Sequence, residues 1–196
     1  WLNVTPRIGG RFTHYGETDG TGSSKTSSQR YVFNTGVEVS TKFSKLMPNT
    51  KSKLLDVNGI RHIIQPSINY AFIPRPNRVP NELDQFDYEL TSPRLLPIEF
   101  PEYNAIDNID SQNVLRLGLR NRLQTKRANG LQDVADWALF TDWRIDPNSG
   151  QSKFADLFSD AIIRPRSWLS LNSGLRYDLD DSLWRTINHG FTISPK

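Results

Sequence analysis

The chain has 196 residues, 24 basic against 21 acidic side chains for a formal net charge of +3, and a hydrophobic content of 36%. That content is too high for wholesale disorder, while a mean hydropathy of −0.55 and the lack of any continuous apolar run of about 20 residues exclude a bundle of membrane helices. The absence of cysteine excludes a disulfide framework and a cysteine-based metal site or nucleophile, and the basic residues are scattered, so no nucleic-acid partner is expected.

Period-two alternation begins at once. Leu2, Val4, Pro6, Ile8, Gly10 and Phe12 alternate with Asn3, Thr5, Arg7, Gly9, Arg11 and Thr13, which predicts a strand with one oily and one wet face. The pattern returns over Arg30–Phe43, where Tyr31, Phe33, Thr35, Val37 and Val39 oppose Arg30, Asn34, Gly36, Glu38 and Ser40. It returns again over Ile60–Pro74, where Ile60, Ile64, Ile68, Tyr70 and Phe72 oppose Arg61, Gln65, Ser67 and Asn69. Four weaker runs follow: Leu115–Leu123 against Arg116, Arg120 and Arg122; Ala135–Ile145 against Asp136, Asp142 and Arg144; Leu169–Tyr177 against Asn172, Arg176 and Asp178; and Leu183–Ile193 against Thr186, Asn188 and Thr192.

Seven strands are thus predicted, several of about 13 to 15 residues, where soluble strands cluster near 5 or 6 and a tilted membrane strand needs about 9 to 11. Aromatic residues near strand ends (Trp1, Tyr15, Tyr31, Phe43, Tyr70, Phe72, Trp143, Tyr177 and Trp184) suit interfacial girdles. Long loops are expected near 16–29, 44–58 and 75–112. The expected fold is all-β: an antiparallel transmembrane β-barrel segment, with residues 1–196 forming a partial outer-membrane barrel domain. Seven strands cannot close a bacterial barrel, which uses an even number of at least eight, so the chain is expected to continue beyond both ends. Pro6, Pro66 and Pro165 fall inside strand patterns and oppose this reading unless they mark bulges or weak pairing.

The expected polar face is rich in charge: Arg7, Arg11, Arg30, Glu38, Arg61, Arg116, Arg120, Arg122, Arg144 and Arg176 are candidates to face a lumen, with Arg164 and Arg166 beside them. Two readings stay open: guanidinium forks meet anionic groups of a cargo or of a plug protein, or they are neutralised by carboxylates such as Glu38, Asp136, Asp142 and Asp178. His14, His62 and His189 lack the spacing of a zinc site, no catalytic constellation is evident, and no cofactor is expected. Gly9-Gly10 and Gly20-Thr21-Gly22 precede no helical pattern, so neither is a phosphate loop.

The segment Gly59–Pro74, with Arg61, His62, Pro66, Tyr70 and Pro74 as RHxxxPxxxYxxxP, resembles a strand of the lipopolysaccharide-assembly outer-membrane protein family, also called the organic solvent tolerance protein. Phe86-Asp87 looks like the family's loop aspartate. Asp107, Ile109 and Asn113 match its DRIxxxN motif, with Asn108 where the family has arginine, and Leu117–Leu123 is similar to its LGLxxRL strand. Trp1–Tyr15 also resembles a strand upstream of these. The resemblance implies a C-terminal barrel region that inserts lipopolysaccharide into the outer leaflet of the bacterial outer membrane, without covalent chemistry. Its implied partners are lipopolysaccharide, a lipoprotein plug inside the barrel, and a periplasmic lipopolysaccharide-bridge protein reached through an N-terminal jelly-roll domain outside this segment. The gate between the family's first and last strands is expected to lie outside it too. A passive porin and a soluble carbohydrate-binding β-sandwich are the alternatives.

Overall fold

The computed structural model describes all residues except 21–22, 88–95, 99–104, 129 and 195–196. Part of the loop expected over 75–112, the last two residues of Gly20-Thr21-Gly22 and the chain's final two residues therefore lie outside the described residues. Eleven strands are described: β1 (Leu2–Tyr15), β2 (Thr18–Gly20), β3 (Ser23–Lys25), β4 (Ser28–Thr41), β5 (Phe43–Ser52), β6 (Val57–Ile73), β7 (Gln112–Arg127), β8 (Gly130–Arg144), β9 (Leu157–Arg166), β10 (Leu169–Asp178) and β11 (Leu183–Ile193). Nine form one antiparallel sheet in the order β1-β4-β6-β7-β8-β9-β10-β11, with β5 also paired to β6. The sheet is open, β1 and β11 standing at its two edges, and β2 and β3 make a separate small hairpin.

The five longest strands run 14 to 17 residues, because alternation of branched or aromatic with polar residues is sustained for that distance without a turn signal. The sheet has nine strands where seven were expected. One addition, β9, carries Ile162 and Ile163 side by side, which breaks the period. The other, β5, occupies most of the loop expected near 44–58; its Lys45, Asn49, Thr50 and Lys51 give it no apolar face, and it forms because β6 offers a ladder to pair with.

β4 and β5 meet β6 in one unbroken register: Ser40 pairs with Ser67 and, past the interruption, Phe43 pairs with Ile64. The unpaired step lies at Gln65 and Pro66, where proline has no N–H to give. The other prolines occupy similar places. Pro6 is on the edge strand β1, Pro48 lies within the register shift between Met47 and Lys51, and Pro165 lies beyond the last β8–β9 pair, beside the shift between β9 and β10. No strand proline therefore interrupts a ladder that is intact on both sides.

Antiparallel alternation sorts the connections. The long ones, 16–27, 74–111 and 145–156, all leave one end of the sheet together with the short 179–182, while 53–56, 167–168 and the short step from Arg127 to Gly130 lie at the other. At the short-turn end Arg127 is buried and donates from Nε to the Asp56 carbonyl at 3.1 Å and from Nη2 to the carbonyls of Leu55, Arg164 and Pro165 at 3.0, 2.8 and 3.1 Å. One guanidinium at the end of β7 thus ties the 53–56 turn to the end of β9, using the fan of donors that only arginine has. Arg127→Ala is expected to cost on the order of 3 kcal/mol, because several buried carbonyls lose a charged donor together. Arg127→Lys is expected to restore less than half of that. The urea midpoint for refolding into detergent micelles measures both.

Candidate functional site

Paired residues of an antiparallel ladder project to the same side, so the register assigns every side chain to a face. Val4 faces with Val39, Ile68 and Leu117; Phe12 with Tyr31; Leu119 with Leu139; Ile163 with Leu171 and Phe191. This face is oily from β1 to β11, and it is exposed: Ile8 is 79% and Phe191 72% accessible. Eight strand positions about 4.8 Å apart make it roughly 35 Å wide. Soluble monomers rarely expose contiguous apolar patches above a few hundred Å². On the same face lie the ring pairs Phe12–Tyr31, Trp143–Phe154 and Tyr177–Trp184, all toward the long-loop end.

The opposite face inverts the usual order, burying polar residues. The register gives it Arg7, Arg11, Arg30, Glu38, Arg61, Arg116, Arg120, Arg122, Arg144 and Arg176. Most of these arginines have acceptors inside the chain. Arg116 grips Asp142, its cross-strand partner, with two hydrogen bonds of 2.7 and 2.9 Å. Arg120 does the same to Asp136, Arg176 pairs with Asp156 and lies over the Phe158 ring, and Arg144 donates to the Ser152 carbonyl. Arg7 crosses a whole strand: from β1 it passes over Gly36 of β4 to Asn69 Oδ1 at 2.5 Å and the Tyr70 carbonyl at 3.2 Å on β6. A Cβ on Gly36 would stand 2.9 Å from Arg7 Nη2 and 2.3 Å from the Tyr70 carbonyl oxygen, so only glycine leaves that passage.

At the long-loop end the connection between β6 and β7 bends back onto this polar face. Ile109 packs on Val32 and Ile73, and Ile98 packs two residues further down, on Ala71 and Val114. Leu96 reaches the level of Arg116, which donates to its carbonyl at 2.5 Å. Four residues of strand separate Arg116 from the start of β7, about 13 Å.

A knot of hydrogen bonds holds the loop there. Arg30, 1% exposed, donates to the carbonyls of Arg78, Ile106 and Asp107 at 3.1, 3.0 and 3.1 Å, and to that of Ile109. Asp107 accepts from the Tyr15 hydroxyl at 2.5 Å and from the N–H groups of Phe86 and Asp87 at 2.8 and 3.3 Å. Asp87 answers by accepting from the N–H groups of Ile106 and Asp107 at 2.5 and 3.2 Å. Burial works to raise the Asp107 carboxyl, but the hydrogen bonds from Tyr15, Phe86 and Asp87 outweigh it and hold it below the usual aspartate range. Tyr15, expected in an aromatic girdle, is instead buried on the polar face as part of this knot. Its odd number in β1, shared with Arg7 and Arg11, is the signal that would have found it.

Of the motif residues, Asp107 and Ile109 meet in the knot, Pro66 marks the β4–β5 interruption, and Pro74 follows the end of β6. Tyr70 lends its carbonyl to Arg7 while its ring lies on the apolar face, level with Val37 and Leu115. Asn113, level with Phe72, accepts the Ile145 N–H at its carbonyl, and its buried Oδ1 has no partner among the described residues. His62 is 3.3 Å from Asn121 on β7, and Arg61 stands beside Gln124 at the short-turn end. Arg127, Arg185 (paired with Asp178) and the Asp87–Asp107 reciprocity were not evident from the sequence, because each depends on how connections fold back.

The ends of the sheet differ in charge. The short-turn end carries Lys45, Lys51, Lys53, Lys126, Arg127 and Arg166 around Asp56 and Asp133, whereas Asp107, Asp110, Asp146, Asp156, Asp178, Asp180 and Asp181 gather at the long-loop end and outnumber the Arg30, Arg78, Arg144, Lys153 and Arg185 found there.

The family model described as LptD, LPS transport system D, matches residues 1–196. No curated protein matches the chain.

Gly36→Val is expected to cost about 3 kcal/mol, by overpacking against the β6 backbone and displacing Arg7 from Asn69, read as a lowered urea midpoint. The knot has a pH signature. Because the folded pKa of Asp107 lies below its unfolded value, its stabilisation is complete above the ordinary aspartate value of about 3.9 and is lost as pH falls through the lower folded value. Hydrogen-exchange protection at the amides of Phe86 and Asp87 is expected to persist at pH 5 and to fall toward pH 2, selectively relative to the amides of β7; Asp107→Ala removes it at all pH.

Proposed function

The chain belongs to the LptD family, LPS transport system D, and on that premise we propose that it forms part of the wall of an outer-membrane barrel that passes lipopolysaccharide into the outer leaflet. The observation that supports this best is the inverted wall: an apolar face exposed across all eight strand positions and a polar face with buried arginines. Such a sheet is stable where hydrocarbon covers one side and water or polar protein the other. In this reading the apolar face meets lipid and the arginine face lines the lumen. Because barrels of this kind pair long outer loops with short periplasmic turns, the long-loop end points outward and the basic short-turn end faces the periplasm.

Within that frame the chain works by shape and charge, without covalent chemistry. Hydrated saccharide moves along a face whose charges are mostly held by internal partners, which keeps the path polar without fixing the cargo. The loop folded onto that face by Arg30 and Arg116 narrows the outer mouth. A lipoprotein plug in the lumen and a periplasmic bridge delivering the cargo complete the proposed assembly, joined to this wall through other parts of the full-length protein.

Depletion of the full-length protein, followed by labelling of lipopolysaccharide on intact cells, tests the reading. The expected outcome is a loss of newly exported surface lipopolysaccharide while other barrel proteins remain at the surface; unchanged surface labelling would sink it.

A further inference from the structure

The polar face does not treat all its arginines alike. Arg7, Arg30, Arg116, Arg120, Arg144 and Arg176 each direct the guanidinium at an acceptor of the chain itself. Arg61 and Arg122 have no such acceptor among the described residues, and neither does Arg164 on β9. Arg61 and Arg122 are neighbours, and Arg164 lies on the same face two strands beyond Arg122. Arg61 pairs with Gln124 and Ile63 with Arg122, so Arg61 and Arg122 stand on the diagonal of one ladder, about 7 to 8 Å apart at the backbone. Arg122 is level with Asp136 and Asp136 with Ile162, two residues before Arg164 on the same face.

The nearest carboxylate, Asp136, is paired, Asp133 meets only a neutral amide, and Asp160 lies one step further along the same face. Asp136 gives both its oxygens to Arg120, and Asp133 accepts from Gln124 at 2.8 Å. Three cations at this spacing repel one another, and a multivalent anion between them removes the repulsion. A phosphoryl group suits the place best, since its oxygens match the paired donors of a guanidinium and it carries charge for more than one of them. The cluster lies at the short-turn end, where the surrounding turns are basic, so the local field draws anions toward it.

We propose that Arg61, Arg122 and Arg164 form a receptor for phosphoryl groups carried on the saccharide of lipopolysaccharide as it enters the polar face at the short-turn mouth. This rests on the transport reading above and assigns to that path its first charged contact. Anionic phospholipid headgroups share the chemistry, but the three residues project away from the apolar face on which Ile64 and Ile163 lie.

The test uses the full-length protein in detergent, comparing the wild type with the triple variant Arg61→Gln, Arg122→Gln, Arg164→Gln. No partner among the described residues is lost in that variant, and a heat-sensitive gel mobility verifies its barrel. The probes are lipopolysaccharide, the same material chemically dephosphorylated, and vesicles of phosphatidylglycerol. The wild type is expected to bind the phosphorylated form about tenfold more tightly than the dephosphorylated one, with the preference shrinking as salt is raised. The triple variant is expected to bind both alike, while Arg144→Gln, at the opposite end, keeps the preference. A triple variant that retains the preference, or that loses binding only to phosphatidylglycerol vesicles, overturns the proposal. Wild-type protein that binds both forms equally overturns the receptor alone; wild-type protein that binds neither overturns the transport reading with it.

Discussion

Register is the constraint on which this structure depends. Side chains in a strand alternate with a period of two, so a slip of one residue in any ladder would turn that strand's oily set onto the polar face and its arginines toward hydrocarbon. Eight strand positions keep the alignment from Val4 through Leu117 to Phe191. The alignment also decides where proline is tolerated. Pro6, Pro48, Pro66 and Pro165 sit at an edge, a register shift or a break, where a missing N–H costs little.

Around that frame, arginine does the joining. Arg30 and Arg127, one at each end, are buried cations surrounded by main-chain carbonyls, an arrangement that offsets desolvation only when the geometry is good and most donors are used. Between them, cross-strand pairs such as Arg116–Asp142 neutralise charge within a single ladder step. Exposed ion pairs contribute little to stability. The largely buried Arg116 pair contributes more, and Arg116 also holds the Leu96 carbonyl and hence the loop.

Much of this was legible in the sequence because a two-residue period survives in a linear string. The five longest strands, the oily face and the arginine face are written in the parity of positions such as Ile8 and Arg7. What escaped was whatever lacks that period. β5 puts Phe43 and Met47 on one side and Leu46 and Pro48 on the other, so it shows no apolar face and is recruited by the exposed ladder of β6; β9 hides its alternation behind adjacent isoleucines. The knot around Asp107 escaped for another reason: Tyr15, Arg30, Asp87 and Asp107 are far apart in the chain, and only the loop's return to the sheet brings them together. That Arg61 and Arg122 find no acceptor among the described residues, while Arg116 and Arg120 are paired, was equally invisible, since all four look alike as letters.

The manner in which the β6–β7 loop is held has a consequence for how its sequence can change. Arg30 and Arg116 grasp the carbonyls of Arg78, Leu96, Ile106, Asp107 and Ile109, and a carbonyl is the same whichever residue bears it. Anchorage therefore demands a path of the backbone and few particular side chains. Side chains whose carbonyls alone are held can change without loosening the anchorage, while the wall beneath them stays as it is.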